Sequence, residues 1–255
     1  MIRLSALMTA FEESEFIDYA IRSCIDHVDD LVIVEGAYKQ TIRLGKSPRS
    51  MDGTIEIIEK YRNHPKVHII YANEESDPQQ RNVGLDKIKE INPNGWMIIV
   101  DGDEVYDPNT FTIIKNQVRL LEITDKYAAY FTSLTFVNDL SHFTYQEFPR
   151  LFKITPKCKF ENDNFLYWED KGLSRAPPLV TKLPQIKFWH MAFCKKPERF
   201  KLKKKWWETR FDKEFNYSWT IDENGKISDK NHSIYPYTGR YPDVLKEYLE
   251  KKNEA

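Results

Sequence analysis

Cysteine is scarce in this chain: Cys24, Cys158 and Cys194 are scattered over 255 residues without metal-binding spacing. Three isolated thiols exclude a disulfide framework and fit a reducing compartment. No apolar run approaches the roughly 20 residues that a membrane-spanning helix needs. The first residues, Met1-Ile-Arg-Leu-Ser-Ala-Leu-Met8, lack a long apolar stretch after a basic one, so they read as a strand rather than a secretory signal. These absences predict a cytoplasmic protein with no transmembrane segment, and they leave peripheral membrane contact open. An excess of either charge is also missing. The formal net charge is −1, so no global field favours nucleic acid or anionic lipid. Repeats and low-complexity linkers are absent.

Hydrophobic residues make up 41% of the chain and aromatics 14%, enough core for one large α/β domain, with or without an appendage. The most informative stretch is Trp96-Met-Ile-Ile-Val-Asp-Gly-Asp-Glu104. Its apolar run, 97–100, is too short for a helix and reads as a strand buried on both faces. It ends in Asp101, Asp103 and Glu104, with Gly102 placed to let the backbone turn sharply. A buried strand with acids at its C-terminal end matches the usual ligand site of an open α/β sheet. Two aspartates one residue apart can share a hard divalent cation such as Mg²⁺ or Mn²⁺. A lone Asp-x-Asp is more often a solvated loop, so the rest of the chain has to support the reading.

The pattern predicts strands over 2–10, 31–34, 67–71 and 97–100. Between them it predicts helices over 15–27 (with Ser14 as N-cap), 55–61 and 79–91. Alternation of this kind argues βαβ units and a mainly parallel sheet. Beyond it come a helix over 109–122, strands over 127–137 and 150–154, a loop-rich segment over 155–185 and a strand over 186–190. A basic, aromatic helix follows over 197–211, then an irregular segment over 216–241 and a charged helix over 242–252. The fold class expected is a Rossmann-like mixed, mostly parallel sheet flanked by helices, with an irregular aromatic C-terminal region.

In their order and spacing, several short motifs together resemble a family 2-type glycosyltransferase with the GT-A fold. They are Thr9-Ala-Phe-Glu12 after the first strand, Glu35 at a strand end, Asp52-Gly-Thr54, Arg81-Asn-Val-Gly84, Asp101-Gly-Asp103-Glu104 and the late His190. No single motif is specific; the ordered set covers 2–211. The resemblance implies a domain over 1–211, with a nucleotide-binding half at about 1–106 and an acceptor-binding half at about 107–211. A C-terminal extension over 212–255 would pack on the same domain.

The resemblance also implies roles. A nucleoside-diphosphate sugar would lie against Thr9, Phe11, Glu12, Glu35, Asp52, Arg81, Asp101, Gly102 and Lys195. Glu35 can accept hydrogen bonds from base or ribose, or it can be a surface acid. Asp52 can hold the base, cap the following helix, or do both. Arg81 can face phosphates or base, or be a solvated residue of the first helical turn, where a cation is unfavourable. Mn²⁺ or Mg²⁺ would be held by Asp103, with Asp101 and His190. The alternative for His190 is a core histidine among Phe188 and Trp189. The base for inverting transfer is expected in 159–165, with Asp163 first and Glu161 as alternate. The His-Glu pair of many relatives is absent there. Glu104 reads as an acid behind the site or as surface. The acceptor would be a glycan, a lipid-linked group or a protein.

Three other readings compete. A nucleotidylyltransferase shares the sheet and the acids, but its loop after the first strand is usually glycine-rich and basic. Here that loop, Thr9-Ala-Phe-Glu-Glu13, is acidic and has no glycine. A nucleotide-sugar or glycan-binding module without catalysis would keep the motifs and lack turnover. An EF-hand calcium loop is disfavoured, because Glu104-Val-Tyr-Asp-Pro108 lacks the further oxygen ligands and glycine. The lysine-rich helix over 197–211 reads mainly as a solvated face that buries Phe200 and Trp207. The Tyr- and Trp-rich tail can stack on sugars or close over the donor as a lid.

Overall fold

The run Met97–Ile99 lies at the centre of the molecule, fully buried, with helices on both sides. The computed structural model describes residues 3–162, 165–169, 171–173, 179–195, 197–211, 219–223 and 225–254. The first half runs β1 (Leu4–Ala10), α1 (Ile17–Cys24), β2 (Asp30–Glu35), α2 (Lys39–Arg43), α3 (Thr54–Glu59), β3 (Val67–Tyr71), α4 (Asp77–Ile91), β4 (Trp96–Ile99) and β5 (Glu104–Val105). Then come α5 (Pro108–Ile123), β6 (Ala128–Val137), β7 (His142–Lys153), β8 (Cys158–Asn162), β9 (Phe165–Trp168), β10 (Gly172–Leu173) and β11 (Val180–Phe193). The chain closes with α6 (Pro197–Phe211), β12 (Trp219–Ile221), β13 (Ile227–Asp229), β14 (Tyr235–Pro236) and α7 (Asp243–Glu254).

The main sheet has the order β3-β2-β1-β4-β7-β6-β11-β5, with β14 added to β7. From β3 to β4 it is parallel, as the strand–helix alternation requires. β7 is antiparallel to both β4 and β6, β6 and β11 are parallel, and β5 is antiparallel to β11. The fold is therefore a mixed α/β sheet flanked by helices, of the Rossmann-like kind expected.

The order forces a curl. β4 and β5 are five residues apart, from Ile99 to Glu104. Five residues span at most about 18 Å when extended, and the turn closed by Glu104 N–H donating to Asp101 O shortens that reach. A flat path across β7, β6 and β11 would need four strand spacings, roughly 19 Å. The sheet closes the difference by bending, which brings the end of β4 against β7 and β11.

Alternation along β1 divides the core. Leu4, Ala6 and Met8 face α1 and α5, where they meet Ile21, Phe111 and Ile114. Leu7 faces α4 together with Val32, Val34, Leu85 and Ile88. Gly84 allows this second contact: a Cβ there would lie 2.3 Å from Leu7 Cδ1 and 2.8 Å from Val34 Cγ2.

Several boundaries differ from those predicted. α1 starts at Ile17, and its N-cap position is Phe16, which makes no side-chain capping bond. The Ser14 N–H instead donates to Asp52 Oδ2, so Ser14 belongs to the loop rather than to the helix. α4 starts at Asp77 with Pro78 in its first turn, which places Arg81 in the second turn. The short helix α2 went unpredicted. The strand expected over 150–154 is the last part of the long β7. The segment over 155–185 holds a three-stranded antiparallel sheet, β8–β10, and the start of β11. The segment over 216–241 holds β12, β13 and β14. These strands are short and lie among Asn, Asp and Pro, whose turn signals outweigh the strand pattern.

α7 packs against α1. Arg22 makes two bonds to Glu247, at 2.8 and 2.6 Å, and Tyr248 lies 5.0 Å from the Phe16 ring. Among the described residues, no helix is long and apolar enough to cross a membrane.

Candidate active site

The four parallel strands end on one edge, where Ala10 is level with Glu35 and Glu35 with Tyr71. Asp101 follows β4 at the same edge. Its Oδ1 is 3.0 Å from Arg81 Nη2 and 3.4 Å from the Thr9 hydroxyl, and its Oδ2 is 3.4 Å from Arg150 Nη2. Burial works to raise the Asp101 carboxyl, but Arg81 and then Arg150 outweigh it, and the group sits below its ordinary value.

Arg81 is 5% exposed. It lies one helical turn from Asp77, and its Nε donates to Asp77 Oδ2 at 2.8 Å. Tyr38 donates to the other Asp77 oxygen. The third nitrogen of the guanidinium, Arg81 Nη1, is buried and has no hydrogen-bond partner among the described residues. An arginine with two nitrogens held by carboxylates and the third unmatched is poised to donate to an incoming acceptor.

Glu104 is fully buried, not a surface acid. Arg150, in β7, donates to it from Nε at 3.1 Å and from Nη2 at 2.5 Å. The same guanidinium lies 4.8 Å from the Phe148 ring and 5.4 Å from the Phe188 ring. Burial pushes the Glu104 carboxyl up to about 8, against the opposing pull of Arg150. Gly102, between the acids, is not at positive φ. The sharp turn expected there is present, closed by Glu104 N–H donating to Asp101 O, and what glycine supplies is space: a Cβ would lie 3.2 Å from Glu13 Cγ.

Asp103 is held by a lysine. Lys195, just past β11, places Nζ 2.7 Å from Asp103 Oδ2 and 2.6 Å from Glu13 Oε2. Burial alone would lower the Lys195 ammonium, yet Asp103 and Glu13 hold it above its ordinary value. On the other side of Asp103, His190 Nε2 is 3.6 Å from Oδ1, and the Phe148 ring meets the imidazole edge-on at 5.7 Å. Arg199 of α6 completes the arrangement, with bonds to Glu12 at 2.9 Å, Glu13 at 3.2 Å and the Phe11 carbonyl at 2.6 Å. Lys46 also reaches Glu12, at 3.0 Å.

This donor set does not fit a divalent cation as it stands. Such an ion needs several uncompensated oxygen ligands, whereas Lys195 holds Asp103 and two arginines hold Asp101. Among the described residues, no group of three or more His, Cys, Asp and Glu side chains converges as a metal site would require.

The other expected donor residues support the loops. Glu35 is fully buried, and its Oε1 accepts from Ser50 N–H at 2.9 Å. Its Oε2 lies 3.8 Å from Arg49 Nε and accepts no hydrogen bond among the described residues. Asp52 accepts from Thr54 N–H, the Thr54 hydroxyl and Ser14 N–H. Burial tends to raise the Asp52 carboxyl, and those hydrogen bonds bring it below its ordinary value. Asp52 thus satisfies the N-terminal turn of α3 and ties it to the loop after β1. Ser50 and Thr54 brace the same loop by accepting from Glu12 N–H and Glu13 N–H, each at 2.7 Å.

The segment expected to carry the base is anchored beside Arg81. Asn82 donates to Phe160 O at 2.9 Å and accepts from Phe160 N–H at 2.8 Å. Glu161 is exposed and paired with Lys159 at 3.1 Å; Asp163 lies outside the described residues. Phe200 of α6 is buried, while the Trp207 side chain lies outside the description. Two of the described tail aromatics pack inward, whereas Tyr235 is 46% exposed. Trp219 stacks on Phe193 at 4.1 Å, and Tyr237 meets Phe136 at 5.2 Å.

Glu13, Asp77, Arg150 and Arg199 were not anticipated at the site. The four-residue spacing of Asp77 and Arg81 signalled one of these pairs. The others join residues far apart in the chain, brought together by the pairing of β7 with β4 and by the curl of the sheet.

No protein-family model matches the chain, and no curated protein matches it. Among solved structures it is similar to S. aureus TarS 1-349, with a TM-score of 0.47, 13% identity and coverage of 80% of this chain and 64% of that one. It is also similar to S. aureus TarS 1-349 in complex with UDP-GlcNAc, with a TM-score of 0.39, 18% identity and coverage of 53% and 35%. A third similarity is to mannose-6-phosphate isomerase from Helicobacter pylori, with a TM-score of 0.34, 11% identity and coverage of 52% and 51%. The chain spans less than two thirds of each of these proteins, and at these scores the likeness does not bear on activity.

Proposed function

We propose that this chain is a glycosyltransferase that moves a sugar from a nucleoside-diphosphate sugar to an acceptor hydroxyl. The observation that carries the reading is Arg81. It is buried at the C-terminal edge of the parallel strands and aligned by Asp77 and Asp101, with Nη1 unmatched. A donor of this kind suits a phosphate oxygen or a base carbonyl. The placement of Thr9, Asp101 and Lys195 around the same edge supports it, because a ligand at the strand ends would meet all three.

In this reading Arg81 orients the nucleotide, and Lys195 and Arg199 lie where the diphosphate carries its charge. Leaving-group departure increases negative charge on the diphosphate, so fixed cations stabilise the transition state more than the ground state. Asp163, with Glu161 as alternate, takes the acceptor proton from the face opposite the diphosphate and gives inversion. The nucleotide half at about 1–106, the acceptor half at about 107–211 and the extension over 212–255 belong to the same proposal. So do a glycan, lipid-linked or protein acceptor and a cytoplasmic site of action. The Mn²⁺ or Mg²⁺ that the resemblance implies would fall to Asp103, Asp101 and His190, a set already occupied by Lys195, Arg81 and Arg150.

A thermal-shift screen of sugar nucleotides, run in EDTA and in Mn²⁺, tests the reading. A donor at ~100 times its Kd adds about 2.7 kcal/mol of apparent stability. If no sugar nucleotide shifts the transition under either condition, the proposal is wrong.

A further inference from the structure

Three independently placed parts of the chain meet at one ammonium group. Glu13 comes from the loop after β1, Asp103 from the end of β4, and Lys195 from the end of β11. Lys195 Nζ stands 2.6 Å from Glu13 and 2.7 Å from Asp103, and the three side chains are only 9–13% exposed. We infer that Lys195 supplies at Asp103 the positive charge that the resemblance assigned to a divalent cation, so that the donor diphosphate binds here without Mn²⁺ or Mg²⁺. This inference rests on the glycosyltransferase reading and concerns the same site.

Charge balance around Asp103 supports it. A site for a divalent cation presents carboxylate oxygens that no cationic side chain already holds, since the ion itself must neutralise them. Here each nearby acid already has a cationic partner. Asp101 has Arg81 and Arg150, Asp103 has Lys195, and Glu13 has Lys195 and Arg199. An incoming dication would have to expel a buried ammonium from two carboxylates and then remain close to Arg199. The lysine faces no such difficulty with a diphosphate. Its four-carbon stem is flexible, its head is a compact charge with three donors, and lysine binds phosphate as a point charge. The acids hold it at the strand edge until the donor arrives. His190, on the far side of Asp103 at 3.6 Å, then positions that carboxylate rather than ligating a metal.

The test is calorimetric, on the full chain, with UDP, GDP, ADP, CDP and dTDP as probes, in EDTA and in excess Mn²⁺. At least one probe is expected to bind the unaltered chain with the same affinity in both, within about threefold. Lys195→Ala should weaken that binding about tenfold or more in EDTA, the size of one charge-assisted hydrogen bond. Mn²⁺ should restore it, because Asp103 and Glu13 are then free to hold the ion. If Mn²⁺ raises the affinity of the unaltered chain by more than about threefold, and Asp103→Asn removes that gain, the inference is overturned and the glycosyltransferase reading stands. If no probe binds in either condition, that reading fails and takes the inference with it. The comparison on the unaltered chain decides the matter even if Lys195→Ala does not fold.

Discussion

The side chains of Arg81 and Asp101 meet at 3.0 Å and join the second turn of α4 to the end of β4. Both are largely withdrawn from water, so the pair matters for stability as well as for any ligand. Replacing Arg81 with Ala removes the guanidinium that Asp77 and Asp101 share, leaving Asp101 with Arg150 and Asp77 with the Tyr38 hydroxyl. Breaking a buried pair in this way costs about 3–5 kcal/mol. Urea denaturation should show a loss of that size. Arg81→Lys should recover only part of it, because a point charge cannot hold two carboxylates as a planar fork does. Equal stability of the Lys variant and the unaltered chain would mean that the fork geometry is immaterial.

Gly84 sets how closely α4 approaches β1 and β2. Its α-hydrogen faces Leu7 and Val34 at distances that no Cβ tolerates. Gly84→Ala should therefore destabilise by about 1–3 kcal/mol, the usual cost of overpacking, despite the better helix propensity of alanine. Nucleotide affinity should fall too, since Arg81 rides on the same helix. An unchanged thermal midpoint would show that α4 can retreat freely.

Glu104 predicts a pH dependence. Burial raises its carboxyl from 4.5 to about 8, so the folded chain holds that proton more tightly than the unfolded chain does. A raised pKa contributes stability that is fully present below the unfolded value and is lost as pH rises through the folded value. Between about 4.5 and 8, this group should make the unaltered chain progressively less stable. Glu104→Gln mimics the protonated form. Chemical denaturation across that range should show a flatter profile for the variant, and parallel profiles would remove Glu104 as the source.

The base assignment is a matter for kinetics. Loss of a general base typically lowers the rate by about 10²–10⁴-fold. Asp163→Asn should therefore retain donor binding by calorimetry while kcat drops into that range. If Asp163→Asn transfers at full rate and Glu161→Gln does not, the role moves to Glu161. Full rates in both single variants and in the double variant would point to a base elsewhere, or to a front-face mechanism that needs none.

By itself the sequence determined the parallel half of the sheet and the acid-tipped strand at its centre. Those signals are local. An apolar run too short for a helix, a strand–helix alternation and acids directly after a buried strand survive any arrangement of the remaining chain. Arg81 was legible as a site candidate for the same reason, since it lies in the first half of the helix that precedes that strand. The tertiary structure alone decided what each charge faces. Arg150 reads in sequence as one more residue of a strand, yet the antiparallel pairing of β7 with β4 sets it beside Asp101 and Glu104. Lys195 and Glu13 are 182 residues apart in the chain and meet because β5 pairs with β11, which carries the end of β11 to the loop after β1. Whether Asp103 meets a lysine or a metal therefore depends on strand order. Strand order is set by long-range packing of the two apolar faces, and no spacing within a single segment records it.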